Sequence, residues 1–257
     1  MEIEKKHIVI IGTGKVAHQL GQQLFRVGHS INGVWGRDIT KAKNLAKKLN
    51  SDVIDDLKKI SKDSLALICV SDSAISEIVS SISDDVKIAY TSGSVQLESL
   101  PKKSNLGVFY PLQTFSQYRN VDISVVPFLI EATTKTFEEE LKALAETLSS
   151  RVLIANSQDR YNTHIAAVMV NNFTNFLYHL AQEHLIEHHL DFDLLKPLIQ
   201  ETVAKLETLS PIEAQTGPAT RGDQSIIQKH LKDITRPETQ QLYRLFSELI
   251  EKEIKKS

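Results

Sequence analysis

The sequence feature that most constrains the fold is a glycine turn set between two opposite periodicities. His7-Ile8-Val9-Ile10-Ile11 runs directly into Gly12-Thr13-Gly14-Lys15-Val16-Ala17, and a segment of helical period follows. A continuous β-branched run reads as a strand buried on both faces, and its immediate hand-over to a helix marks the first half of a βαβ unit. Each small residue has a physical reason. Gly12 permits the tight turn, Gly14 lets the backbone approach a pyrophosphate, and Ala17 lets the helix pack closely on the strand. The unsatisfied N–H groups and positive dipole end of the helix face the same point. Gly12, Thr13, Gly14, Lys15, Val16 and Ala17 are therefore the candidate dinucleotide-binding residues.

The end of the second strand decides which dinucleotide is expected. NAD sites place a carboxylate there, about 20 residues beyond the glycines, whereas NADP sites place an arginine against the 2′-phosphate. Here the strand ends Val34-Trp35-Gly36-Arg37-Asp38-Ile39-Thr40-Lys41. Arg37 occupies the acidic position and Lys41 can add a second positive charge one helical turn on, so NADP (NADPH) is expected ahead of NAD. Asp38 keeps NAD open, because a shift of one residue restores a carboxylate. Ligands in open α/β sheets bind beyond the carboxyl ends of the strands. The later loops Ser71-Asp72-Ser73 and Thr91-Ser92-Gly93-Ser94, with Tyr110-Pro111-Leu112-Gln113-Thr114, should thus reach the nicotinamide end; Ser71, Ser92 and Gly93 are candidates, although hydroxyls there equally suit helix caps and turns.

Strands are expected near 7–11, 31–35, 65–70 and 86–91, with helices near 15–27, 39–49 and 73–82. Val53-Ile54 is a marginal third strand. Shorter strands near 106–110, 125–131 and 151–155 accompany a helix near 136–149. Beyond residue 156 the Val/Ile runs disappear, and helices are expected from 156 to about 189, then at 193–208, 224–233 and 237–255. The chain of 257 residues accordingly divides into an α/β domain over 1–155, a doubly wound parallel sheet, and an all-α domain over 156–257.

Composition removes whole classes of function. A net charge of −2 provides no overall basic field for nucleic acid or an anionic membrane. A single cysteine, Cys69, excludes an internal disulfide framework and sits in a buried strand pattern as a small hydrophobe. The apolar stretch Ile8–Ile11 is far shorter than a signal-peptide core, and no segment approaches a membrane span, so a cytoplasmic location is expected.

The long helix from 156 carries a polar row. With 100° per residue, Asn171 and Asn175 project close to His164, with Tyr161, His179 and Asn172 nearby. Ile165, Met169, Phe173, Phe176 and Leu180 form an apolar stripe beside it, expected to be buried. Further on, His184-Leu185-Ile186-Glu187-His188 matches a short zinc-peptidase pattern. Glu and His are common on exposed helix ends and no third-ligand motif follows, so no metal is expected.

Taken together, Gly12-x-Gly14-x-x-Ala17, Thr91-Ser92-Gly93-Ser94, Tyr110-Pro111-Leu112-Gln113-Thr114-Phe115, His164 with Asn172, and Thr216-Gly217-Pro218-x-x-Arg221-Gly222-Asp223 resemble the NADP oxidoreductases that pair a Rossmann-like domain with a helical domain of unknown function. That family is similar in architecture to pyrroline-5-carboxylate reductase, ketopantoate reductase and 6-phosphogluconate dehydrogenase, whose second domain closes over the nicotinamide and often forms the dimer interface. The resemblance implies an NADP-dependent reductase acting on a small carbonyl or imine substrate held between the domains, and a homodimer through the helical domain. The catalytic lysine of the hydroxyacid dehydrogenase relatives is missing, since no lysine occurs from Ser157 to Leu190. His164, whose unperturbed pKa lies near neutrality, is the expected proton donor, with Tyr161 in reserve. Asn172, Gln113, Thr216 and Arg221 are expected to hold substrate, Arg221 suiting a carboxylate unless it is paired with Asp223. An NADP-binding sensor without turnover is the alternative, because fold does not prove chemistry.

Overall fold

The structure, a computed structural model, describes residues 5–116 and 119–256. It consists of two compact units, Met1–Asn171 and Asn172–Ser257.

The first unit is built in chain order from β1 (His7–Ile11), α1 (Lys15–Arg26), β2 (Ser30–Trp35), α2 (Ile39–Lys48), β3 (Leu65–Ile68), α3 (Asp72–Ser81), β4 (Lys87–Tyr90), β5 (Leu106–Pro111), β6 (Phe128–Ala132), α4 (Lys135–Glu146), β7 (Val152–Ile154) and α5 (Ser157–Ala167). Among the described residues these strands form one sheet of order β2-β1-β3-β4-β5-β6-β7. The run β2-β1-β3-β4-β5 is parallel, as a doubly wound sheet requires. Val53 joins Val34 through a single parallel bridge, so the expected third strand is reduced to a contact at the edge beyond β2. One feature departs from an all-parallel sheet. β6 runs antiparallel to β5, and β7 is parallel to β6. Among its described residues the link from β5 to β6 contains a short 3₁₀ turn, Ile123–Val125, and no crossover helix, and the chain returns in the opposite direction.

Period-two alternation splits β1 between two cores. Ile8 and Ile10 pack with Leu20, Leu24 and Leu45 from α1 and α2, together with Phe137 and Leu141 from α4. Val9 and Ile11 pack on the opposite face with Ile75, Ile78 and Val79 from α3. Both faces are therefore helix-covered, which explains why β1 and β3 are uninterrupted hydrophobic runs. Cys69 lies in the first core, where burial pushes its thiol up to about 12. No reactive thiolate forms there near neutrality.

In the second unit, α6 (Thr174–Glu187), α7 (Lys196–Ala204), α8 (Pro218–Arg221), α9 (Gln224–Asp233) and α10 (Pro237–Ile254) follow one another. Its buried centre is small, with Ala219, Ile227 and Leu231 packed against Tyr243 and Ile250. α6 closes in a Schellman arrangement. The Leu190 N–H reaches the Leu185 carbonyl and the His189 N–H that of Ile186, with His189 in the left-handed region at φ 59°.

Two helix expectations need correction. The segment Val168–Phe173 is π-helical, and its wider turn takes fewer degrees per residue, so the polar row counted from His164 at 100° loses its phase beyond Ala167. The apolar stripe is also largely uncovered: Ile165, Met169, Phe173 and Phe176 are 39%, 55%, 59% and 52% exposed, and only Leu180 is buried. No helix among the described residues is long and apolar enough to cross a membrane.

Candidate functional site

The carboxyl edge of the parallel strands gathers most of the sequence candidates within the first unit. Gly12 leaves β1 at φ 125°, and its N–H donates to the Trp35 carbonyl at 2.8 Å, tying the turn to the end of β2. A Cβ on Gly12 would lie 2.2 Å from the Cys69 carbonyl oxygen, so the backbone of β3 as well as the turn demands glycine here. Gly14 is different. It is exposed with ordinary extended dihedrals, φ −82° and ψ −175°, and a Cβ there would meet no protein atom within 4 Å. It N-caps α1 without a side-chain cap bond among the described residues. The first N–H groups of α1 thus look out over a bare backbone surface, the cradle a phosphate requires. Lys15 is exposed beside it, Val16 is half-buried, and Ala17 is wholly buried under the sheet. Thr13 abuts Gly36, where a Cβ would come within 2.6 Å of its methyl.

At the end of β2 Asp38 and Arg37 have different duties. Asp38 is committed to capping α2, accepting from the Thr40 and Lys41 N–H groups at 3.0 and 3.1 Å. Those bonds, chiefly the one from Lys41, hold its carboxyl below the usual range. Lys41, expected to face a phosphate, lies 3.6 Å from the Asp38 carboxylate and is partly committed to it. Arg37 is exposed and forms no ion pair among the described residues.

The loop after β4 and the end of β5 meet α5. Tyr110, at the end of β5 and 9% exposed, sits with its hydroxyl 3.0 Å from His164 Nδ1. Gly93 lies against this pair, since a Cβ on it would fall 2.7 Å from both His164 Nδ1 and Tyr110 Cζ. Burial raises the Tyr110 phenol, the Asp72 charge adds to the shift, and Arg160 partly opposes it. The phenol therefore stays protonated around neutrality. Among the described residues His164 Nε2 has no hydrogen-bond partner. Ser94 donates to the Asp72 carboxylate, which anchors the β4 loop to the start of α3.

Some candidates have local duties instead. The Ser92 hydroxyl accepts from the Ser94 and Val95 N–H groups at 3.1 and 3.0 Å, so it builds the turn around Gly93. Ser71 is the N-cap residue of α3, but its hydroxyl makes no cap bond and lies 3.4 Å from that of Ser73. Gln113 Oε1 accepts from the adjacent Thr114 N–H at 2.8 Å in an exposed turn. Tyr161 is 39% exposed. Asn172, Thr216 and Arg221 belong to the second unit. There Arg221 Nε bonds Asp223 at 2.9 Å, the internal pair weighed against a carboxylate-binding role, and the exposed Thr216 offers its carbonyl to Gln215.

Sequence reasoning missed a buried anchor one turn before His164. Arg160 is 1% exposed and ion-paired with Glu131 on β6, and it also donates to the Val95 carbonyl. Glu131 further accepts from the Ser157 hydroxyl at 2.9 Å and the Ser157 N–H at 3.0 Å. Residues 160 and 164 share a face of α5, so this clamp sets the face that presents His164. A polar residue in a helix read as amphipathic gave no warning of it. Only the pairing with an acidic residue inside the otherwise apolar run Phe128–Ala132 offered a signal.

Known proteins give this geometry a context. Residues 7–89 match the family model described as NADP oxidoreductase coenzyme F420-dependent, and residues 126–250 match a domain of unknown function, DUF2520. No curated protein matches. A solved structure described as a "putative NADP oxidoreductase" from Bacteroides fragilis is 39% identical over 98% of this chain and 100% of that one, with a TM-score of 0.89. A reductive aminase from Aspergillus terreus, in complex with NADPH and ethyl levulinate, is 15% identical over 99% and 95% of the two chains, with a TM-score of 0.72. An imine reductase from Myxococcus stipitatus, in complex with NADP+, is 14% identical over 97% and 93%, with a TM-score of 0.68. The last two are likenesses of fold.

Proposed function

Because the chain belongs to the NADP oxidoreductase family that joins a Rossmann-like domain to the helical DUF2520 domain, we propose that it is an NADPH-dependent reductase of a small carbonyl or imine compound. The observation that carries this reading is the opening of a bare, helix-capping glycine turn onto the sheet edge that also holds Arg37 and the Tyr110–His164 pair. The Gly14 backbone and the first N–H groups of α1 would hold the pyrophosphate, and Arg37 would bind the 2′-phosphate. Bound NADPH would supply the hydride chemistry.

The chain's own contribution is position and a proton. His164 as imidazolium donates from Nε2 to the substrate heteroatom, while its Nδ1–H donates to the Tyr110 hydroxyl. Tyr110 is the orienting partner rather than the acid, since burial holds its proton firmly. Arg160, fixed by Glu131, keeps this face of α5 in place. A panel of ketoacids and cyclic imines with NADPH, run on the wild type and His164→Ala, tests the assignment. Turnover of at least one compound should fall about 100-fold or more in the variant; full activity in the variant would remove His164 as donor.

Self-association through the helical region accompanies this reading. Phe173, Phe176, Leu194, Leu198 and Val203 are all more than half exposed, and α7 contributes no buried residue. A monomer would leave that apolar surface in water, whereas a second copy would cover it. Light scattering should give a dimer mass, and Leu198→Glu should shift it toward the monomer.

A further inference from the structure

The end of α6 carries a cluster of ligand-type side chains that the reductase reading does not use. His184, Glu187 and His188 each bring one ligand atom within 4.8 Å of the other two. The two histidines are one turn apart, with ring centroids separated by 4.6 Å. Three further observations bear on what this cluster can hold. His188 Nδ1 lies 3.0 Å from the His184 carbonyl oxygen, which can only accept, so Nδ1 carries a proton and the lone pair of the neutral ring is on Nε2. Metal-binding histidines are oriented in this way, with the second ring nitrogen donating to a backbone carbonyl. The Glu187 carboxylate is held at 2.8 Å by the Thr235 hydroxyl, which precedes α10. Finally, the Schellman closure fixes the last turn, and the negative end of the helix dipole favours a cation there.

We propose that His184, Glu187 and His188 bind one divalent transition-metal ion of the zinc or nickel class. Two imidazole nitrogens and a carboxylate oxygen are donors of the right hardness for such ions and poor ones for calcium or magnesium. Ligand atoms at about 2.0–2.2 Å from a tetrahedral ion lie about 3.4 Å apart, so the side chains need close by only about 1 Å or a little more. Glu187 and His188 are exposed, and their carboxylate and ring can pivot about the Thr235 and His184 contacts to make that adjustment. The three side chains would leave a fourth position for water or a ligand. His184 and His188 also line a cavity of about 630 Å³ in the second unit, shared with His230, Asp233 and Tyr243, so the ion would sit on its wall. Exposed helix ends often carry Glu and His, which argued against a metal from sequence alone; the Thr235 contact and the fixed tautomer of His188 are what the structure adds. The ion would tie α6, through Glu187 and Thr235, to the start of α10.

The test is titration of the chelator-stripped full chain with Zn²⁺ alone, followed by calorimetry and by thermal unfolding. One ion per chain and a melting temperature that climbs with Zn²⁺ concentration are expected. His184→Ala and His188→Ala should each weaken binding at least tenfold, and Thr235→Val by about 10-fold through loss of the outer bond. His7→Ala, in the first unit, should leave affinity unchanged. Absence of binding in the wild type, or binding that survives the double variant His184→Ala/His188→Ala, would overturn the proposal.

Discussion

Replacing Gly14 with alanine separates the fold from the ligand more cleanly than any other change in the glycine turn. At Gly14 the backbone dihedrals, φ −82° and ψ −175°, are available to any L-residue, and the new Cβ would meet nothing within 4 Å. The folded state therefore tolerates the methyl, and the stiffer unfolded chain even favours it by about 0.4–1 kcal/mol. The neighbouring Gly12→Ala places its Cβ 2.2 Å from a backbone oxygen at φ 125° and should destabilise the protein severely. For the bound nucleotide the order reverses. In the proposed nucleotide complex a methyl on Gly14 would stand where the phosphates approach, and losing one or more charge-assisted bonds from backbone N–H groups, at about 1.5–3 kcal/mol each, should raise Kd roughly 10- to 150-fold or more. Trp35, the only tryptophan, reports from the end of β2, where its carbonyl accepts the Gly12 N–H. Fluorescence titration with NADPH, paired with thermal melts, measures both quantities. A Gly14→Ala variant that binds NADPH like the wild type would refute the cradle, whatever its stability.

Other parts of the structure give equally definite expectations. Glu131→Ala leaves the Arg160 guanidinium buried and without its counter-charge, so stability should fall by about 3–5 kcal/mol in urea unfolding; a loss under about 1 kcal/mol would mean the pair is not the clamp described. Tyr110→Phe removes the bond to His164 Nδ1 and should slow turnover about 10-fold or more while leaving NADPH affinity unaltered; a parallel loss of NADPH binding would assign Tyr110 elsewhere. His29 is 2% exposed, accepts from the Lys6 N–H at Nδ1 and bonds Thr147 through Nε2, and burial, reinforced by the Lys6 charge, lowers its pKa. The folded protein then binds fewer protons than the unfolded chain. Its contribution to stability is complete above the unfolded value of about 6.5 and is lost as pH falls through that value toward the folded one. Melting temperatures measured downward from pH 7 should decline, and His29→Gln should flatten the decline.

What the sequence disclosed follows physical lines. Local signals were sufficient for β1, the glycine turn and α1, because buried parallel strands are uninterrupted apolar runs and the turn chemistry is specific. The reversal of β6 was not legible, since period-two patterns carry no direction. The stripe Ile165, Met169, Phe173 and Phe176 was read as buried because amphipathic periodicity reports what a helix can cover, not whether one chain does the covering. Phase counting on the long helix failed at Val168–Phe173 for a different reason, the insertion of a π turn that no residue type announces. His164 was singled out from its place in a polar row, but its neighbours Tyr110 and Arg160 were not, because their contacts span 54 residues from Tyr110 to His164 and 29 from Arg160 to Glu131. The position of Arg37 at the end of β2 was legible; the commitment of Asp38 to the cap of α2 needed coordinates.

The central claim is that the turn at Gly12–Gly14 and Arg37 hold NADPH. Titration of the wild type with NADPH and NADH, followed through Trp35, tests it most directly, with Arg37→Ala alongside. Saturable quenching or enhancement is expected, with NADPH bound more tightly than NADH and a preference that Arg37→Ala largely abolishes by weakening NADPH alone. No response to either nucleotide, or equal affinity for both that Arg37→Ala leaves untouched, would contradict it.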